Sequence, residues 1–221
     1  MKIVGIASIA LLFSGTVTYG QLVNGSLEDT SGTFAPNGDN YMELPVGSTA
    51  LPGWTVVFDS VSWLPNGNPW NLTTPSGSMF LDLTGNHDNG SFGGISQTIA
   101  TSPSQAYRLS LSLGSQQDQP AFSGPMSVSV SAGASSQSFT FSPTGFGNQW
   151  ADFSLDFVAS SGSTVITILG TASNGGSYLG LDNVRIAAVP EASLFPMFLW
   201  GTSGFFALRR KLNRPTIGCK A

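Results

Sequence analysis

The stretch "YRLSLSLG" constrains this chain more than any other. Tyr107, Leu109, Leu111 and Leu113 alternate with Arg108 and serines. Successive side chains of a strand point to opposite faces, so this spacing sorts apolar residues to one side and polar residues to the other. "SMFLDLTG" alternates Met79, Leu81 and Leu83 with Phe80, Asp82 and Thr84 in the same way. "MSVSVSA", "SFTFS", "ADFSLDFVA" and "TVITILG" repeat the theme, separated by clusters of Gly, Pro, Asn and Ser. Helical periodicity is nearly absent, and no solenoid or propeller repeat stands out. About nine or ten short strands with one buried face each predict an all-β chain, a single antiparallel jelly-roll β-sandwich over residues 21–188.

Composition agrees with an exported β protein. Only 9% of residues are charged and 11% are aromatic, which suits a packed core and does not suit a disordered chain. The single cysteine, Cys219, has no intrachain partner. Between residues 21 and 191 only Arg108 and Arg185 are basic, against all twelve acidic residues, a balance of −10. Such a domain is not suited to nucleic acid, which demands neutralisation of phosphates by Lys and Arg. Cations and neutral polymers fit it better.

The two ends read as addresses. Lys2, an apolar run from Ile3 to Phe13, and the small or polar residues up to Gly20 form the pattern of a signal peptide over residues 1–20. At the other end, residues 192–208 carry no charge and are stopped by Arg209, Arg210 and Lys211. As a helix those residues extend about 25 Å, the short end of what crosses a bilayer. The order Val189-Pro190-Glu191, apolar segment, basic cluster resembles the PEP-CTERM sorting signal of Gram-negative bacteria, here over 189–221, with Ala192 where a second proline is usual. That resemblance implies a hydrophobic sorting helix and an exosortase-type processing protease. It also implies export with a transient inner-membrane anchor, then delivery to the cell surface, the outer membrane or the medium.

Within the body, "LVNGSLE", "LPGWTV", "SMFLDLTG", "GGISQTIAT", "YRLSLSLG" and "YLGLDNVRI" follow one another in an order that resembles the galactose-binding-like jelly roll of the bacterial choice-of-anchor C type. That type is similar to the plant cell-wall family of tandem galactose-binding-like domains without assigned enzymatic activity. The resemblance implies association with carbohydrate or cell wall, not catalysis. It also implies a structural calcium held by Glu28, just after the first strand, and Asp182 in the last. Asn24, Asp39 or Asn183 and backbone carbonyls are further oxygen donors for such an ion. A turn role for Glu28 and a strand-end hydrogen bond for Asp182 are the alternatives. Zinc is not expected with His87 as the only histidine.

Local physical roles follow from residue type. Gly25 after Asn24 suits a turn of positive φ. Pro52-Gly53 is a turn that delivers Trp54 to a strand and to the core. Gln97 and Thr98 could bond across a ladder. A bulge near Asp182-Asn183 would shift the alternation of the last strand.

Two places could meet a sugar. In "WLPNGNPWNL", Trp63 or Trp70 could offer a flat aromatic face to the C–H side of a sugar ring, with core packing as the alternative. In "DLTGNHDNGSFGG", Asn86, His87 and Asp88 could bond sugar hydroxyls or an ion, with an ordinary hairpin loop as the alternative. Catalysis by a Ser/His/Asp triad has no nucleophile elbow near His87. The sequence therefore points to a non-catalytic exported protein that associates with exopolysaccharide or cell-wall glycan. The alternatives are a structural matrix or biofilm protein without specific sugar binding, and a glycan hydrolase using paired carboxylates.

Overall fold

The computed structural model describes residues 22–85, 92–116, 125–171 and 178–190. The chain divides into two compact units, Met1–Val189 and Pro190–Ala221. The expected signal peptide over residues 1–20, the apolar segment 192–208, Glu191, Arg209, Arg210 and Lys211, and the loop residues Asn86, His87 and Asp88 lie outside the described residues.

Among the described residues there are eleven strands and no helix. They are β1 (Met42–Leu44), β2 (Thr55–Val57), β3 (Val61–Pro65), β4 (Met79–Asp82), β5 (Gly94–Ala100), β6 (Ala106–Gln116), β7 (Met126–Ala132), β8 (Ser135–Phe141), β9 (Asn148–Val158), β10 (Ser163–Gly170) and β11 (Gly180–Ala188). Two antiparallel sheets form, one in the order β1-β3-β4-β11-β6-β9 and the other β2-β5-β10-β7-β8. From β4 onward the chain passes repeatedly from one sheet to the other, which stacks the sheets over one core.

The period-two runs become strands as expected. Tyr107, Leu109, Leu111 and Leu113 of β6 are buried, as are Val128 and Val130 of β7 and Ile166 and Ile168 of β10, in one apolar cluster between the sheets. The Pro52-Gly53 turn, with Gly53 at φ 83°, delivers Trp54 to that cluster.

The first expected strand does not form. Residues 22–28 are an irregular segment in which Asn24 (φ 50°) and Leu27 (φ 62°) take the left-handed conformation. Hydrogen bonds from both sheets hold this segment. The side chain of Gln97 on β5 accepts from Val23 N–H at 2.7 Å and donates to Val23 C=O at 2.9 Å. From the other sheet, Val184 N–H on β11 donates to Gly25 C=O at 2.8 Å. Gln97 therefore bonds the N-terminal segment rather than a neighbouring strand. Gly25 is not at positive φ; it is there because a Cβ would collide with the carbonyl oxygen of Val184.

The sheets differ in chemistry. No charged residue occurs in the five strands of the β2–β8 sheet. Its outer surface carries hydroxyls, and one register row, Thr55–Ser96–Thr167–Ser131–Ser136, crosses all five strands. Every charged strand residue belongs to the six-stranded sheet. Both faces of β3 and β4 are buried, where alternation predicts one. Leu64 and Phe80 point away from the main core and form a second cluster with Tyr41 and Leu72. The connection between β3 and β4, residues 66–78, supplies Leu72 to this cluster and covers the outer face of the sheet there.

Candidate functional site

A groove of about 740 Å3 lies along the outer face of the six-stranded sheet, beside the 66–78 connection. Its floor comes from the polar side of the alternating strands. Arg108, Ser110 and Ser112 are outward residues of β6, and Asp152 and Ser154 are their neighbours on β9. Asn183 and Arg185 of β11 line the other side, and Pro75 and Ser76 of the connection form a wall. Register sets the layout: Arg185 pairs with Ser110, which pairs with Ser154, and Asp182 pairs with Ser112, which pairs with Asp152.

The polar groups are already organised. Arg108 makes a bidentate ion pair with Asp156, both bonds 2.7 Å, at the exposed surface. Hydrogen bonding from Arg108 holds the Asp156 carboxyl below its usual range. Ser112 Oγ donates to Asp152 Oδ1 at 2.7 Å, leaving the second carboxylate oxygen for an incoming hydroxyl. Arg185 Nη2 donates to Asn183 Oδ1 at 3.0 Å.

The wall is fastened at its end. Glu28 Oε1 accepts from Ser78 N–H (2.9 Å) and Met79 N–H (2.8 Å), and Oε2 accepts from Ser78 Oγ (2.8 Å). Farther along the connection, Asn148 Oδ1 accepts from Thr73 N–H at 2.9 Å and Trp150 Nε1 donates to Thr73 C=O at 2.8 Å. Trp150 lies flat over Gly114 and touches Gly180, two residues paired across β6 and β11; a Cβ at Gly114 would run into the indole. Glycines on adjacent strands are thus what let an aromatic ring seat the connection on the sheet.

Trp63 and Trp70 separate sharply. Trp63 is in β3, 0% exposed, edge-on to Phe34 at 5.1 Å between ring centroids, with Nε1 donating to Leu27 C=O at 3.1 Å. The reading of Trp63 as a sugar platform is therefore corrected: β3 alternation turns its ring into the core. Trp70 is half-buried on the connection, between Tyr41 (5.2 Å) and Tyr178 (5.8 Å). It remains the tryptophan of that stretch with surface available to a ligand.

Asp182 is also in an unusual setting. It is 0% exposed, Oδ1 accepts from Asn183 N–H, and Oδ2 has no hydrogen-bond partner. Burial pushes its carboxyl up to about 7; the Asn183 N–H opposes this, Glu28 adds to it and Arg185 opposes it. The residues are compatible with a calcium ion at this point. Both lone pairs of Asp182 Oδ2 and one of Glu28 Oε2 are uncommitted, and hard oxygen donors are what calcium takes. Two carboxylates are a partial set for six to eight ligands, and no group of three His, Cys, Asp or Glu side chains suited to a metal occurs among the described residues. Of the further donors expected, Asn24 Oδ1 accepts from Asp29 N–H and Asn183 Oδ1 from Arg185, and each keeps one lone pair. Asp39 sits in an exposed turn, its N–H donating to Asn37 Oδ1.

Sequence reasoning did not single out Arg108, Ser110, Ser112, Asp152 or Arg185 as one site. The signal was present in "YRLSLSLG" and "ADFSLDFVA", whose polar positions are those that line the groove. What the sequence lacked was the pairing of β6 with both β9 and β11.

Solved structures to which the chain is similar include carbohydrate-binding modules. TmCBM61 in complex with β-1,4-galactotriose is 17% identical with a TM-score of 0.44, over 78% of this chain and 100% of that one. A family 35 carbohydrate-binding module from Clostridium thermocellum is 13% identical with a TM-score of 0.41, over 67% and 99%. A CBM4 structure is 12% identical with a TM-score of 0.40, over 76% and 100%. No curated protein sequence matches the chain. A family profile does match, across residues 20–187, and the chain belongs to the family described as "Protein of unknown function (DUF642)".

Proposed function

We propose that the groove binds a glycan and that the protein works by holding that glycan rather than cleaving it. The supporting observation is a groove of sugar-sized dimensions whose floor combines hydroxyls, a carboxylate with a free oxygen and guanidinium groups. Those groups match the donors and acceptors of a sugar ring. The cell context follows from the sequence: export by the 1–20 signal peptide, sorting through Val189-Pro190-Glu191 and the basic cluster, and association with exopolysaccharide or cell-wall glycan. Glu28 and Asp182 are the residues that would hold a structural calcium ion, which would neutralise the buried Asp182 carboxylate next to the groove while Glu28 still fastens the wall.

A Ser110→Trp variant tests the groove. Ser110 lies between Arg185 and Ser154, so an indole there fills the floor. The full chain is expected to be retarded in affinity gels containing its polysaccharide, the variant to migrate freely, and no new reducing ends to appear. Release of reducing ends by the parent protein would replace holding with hydrolysis. A second reading, association through a β surface without specific sugar recognition, is favoured by the charge-free five-stranded sheet with its hydroxyl row. On that reading Ser110→Trp leaves retention intact.

A further inference from the structure

The two arginines of the domain, Arg108 and Arg185, line the same groove although the surrounding segment carries a balance of −10. They are not equivalent. Arg108 is committed to Asp156 through two bonds. Arg185 makes no salt bridge among the described residues; it acts on the nearby Asp182 carboxyl only through its charge, and one of its donors reaches a neutral amide, Asn183 Oδ1. A guanidinium has five N–H donors, so most of those on Arg185 are uncommitted.

The chain spends backbone irregularity to aim that side chain. β11 shifts register between Asp182 and Arg185, with Asn183 at φ 53°. Without the bulge, period two would put Val184 outward with Gly180 and Asp182, and Arg185 inward with Leu181. With it, Val184 is buried in the core and Arg185 faces the groove. The bulge is held in place by Val184 N–H on Gly25 C=O, at a position where only glycine fits.

Resting on the glycan reading above, we infer that the groove takes an acidic sugar, a uronic acid residue, with Arg185 binding its carboxylate and Asp152 accepting a ring hydroxyl. The fork of a guanidinium matches a planar carboxylate bidentately, and a uronic acid bears that carboxylate and hydroxyls on one ring. Arg185 and Asp152 stand two strands and two residues apart, roughly 12 Å between backbones at ordinary strand spacings, a span that the long Arg185 side chain, the short Asp152 carboxylate and one or two sugar rings between them fill. A phosphorylated sugar is the poorer match, because its second negative charge meets Asp152 and the acidic surroundings; a sulfate ester carries one charge, as a carboxylate does, but is tetrahedral where the guanidinium fork matches a planar group.

The test titrates the full chain by calorimetry with trisaccharides of galacturonate, glucuronate and mannuronate. Each is paired with its carboxyl-reduced form, and a sulfated neutral trisaccharide is added. At least one uronate is expected to bind about tenfold or more tightly than its reduced form. Arg185→Gln, an exposed change, should remove that preference with an unchanged melting temperature, and Arg185→Lys should restore only part of it. Equal binding of acid and reduced forms, a preference surviving in Arg185→Gln, or tighter binding of the sulfated sugar overturns the uronate inference while the groove stands. Binding that survives Ser110→Trp, or no binding by any trisaccharide, overturns the groove reading and this inference with it.

Discussion

Trp63→Ala is expected to lower the stability of the protein by about 3–5 kcal/mol in chemical denaturation, close to what many domains of this size possess. Three losses combine. A large, fully buried ring leaves a cavity where Phe34 and the neighbouring core side chains packed against it. The carbonyl of Leu27 loses the indole N–H as its donor. Leu27 itself, at φ 62° and 0% exposed, is held in a left-handed conformation that costs about 1 kcal/mol or more, and the Trp63 bond helps hold it. Trp70→Ala should cost about 1–2 kcal/mol, since that ring is half-buried and packs on two tyrosines at the surface. A Trp63→Ala protein of unchanged stability that has lost sugar binding would reinstate Trp63 as a platform and contradict the core assignment.

Asp182 gives the second large effect. With its folded carboxyl at about 7 and an ordinary value of 3.8, the native state holds a proton through the interval between them that the unfolded chain has released. Stability in a chelator is therefore expected to be highest, as far as this group is concerned, below pH 3.8. It should decline as pH rises, and the full loss is reached above about 7. At 1.36 kcal/mol per pH unit, and allowing for screening, the loss is about 2–4 kcal/mol. Asp182→Asn removes the charge, so the variant should exceed the parent in melting temperature at pH 8 in EDTA and match it near pH 4. A calcium ion held by Asp182 would supply a partner for Oδ2, so added calcium should raise the parent's melting temperature at pH 8 and leave the Asn variant unmoved. A parent curve that is flat from pH 4 to 8 in EDTA would mean Asp182 keeps an ordinary carboxyl. A calcium response retained by Asp182→Asn would place the ion elsewhere.

The strands were legible because their signal is local. Every residue of "MSVSVSA" reports its own face, and β7 and β10 follow the expected alternation throughout. The bulge in β11 was legible for the same reason, since Asp182-Asn183 breaks the spacing of Leu181, Val184 and Ile186. The N-terminal segment was not, because its conformation is imposed by partners distant in sequence, Gln97 and Val184. Glu28 was read as a ligand from its place after an expected strand. Its three bonds to Ser78 and Met79 cross fifty residues of sequence, and no local pattern encodes them. Trp63 was drawn toward the surface by its Pro- and Asn-rich neighbours, while β3, five residues long, was too short for its alternation to outweigh them. The groove escaped for the most general reason. Alternation gives the face of each polar residue but not which strands stand side by side, and a site on a sheet is made by strand order.

On the proposed function a glycan sits on the polar face of the six-stranded sheet and not on the charge-free sheet. Backbone amide shifts of the labelled protein, followed during titration with the oligosaccharide it retains, test this most directly. The expected perturbations gather at Ser110, Ser112, Asp152, Ser154 and Arg185, with smaller changes at Ser76. Perturbations gathered instead at Ser129, Ser131, Ser136 and Ser138 on β7 and β8, with the groove amides unmoved, would contradict it.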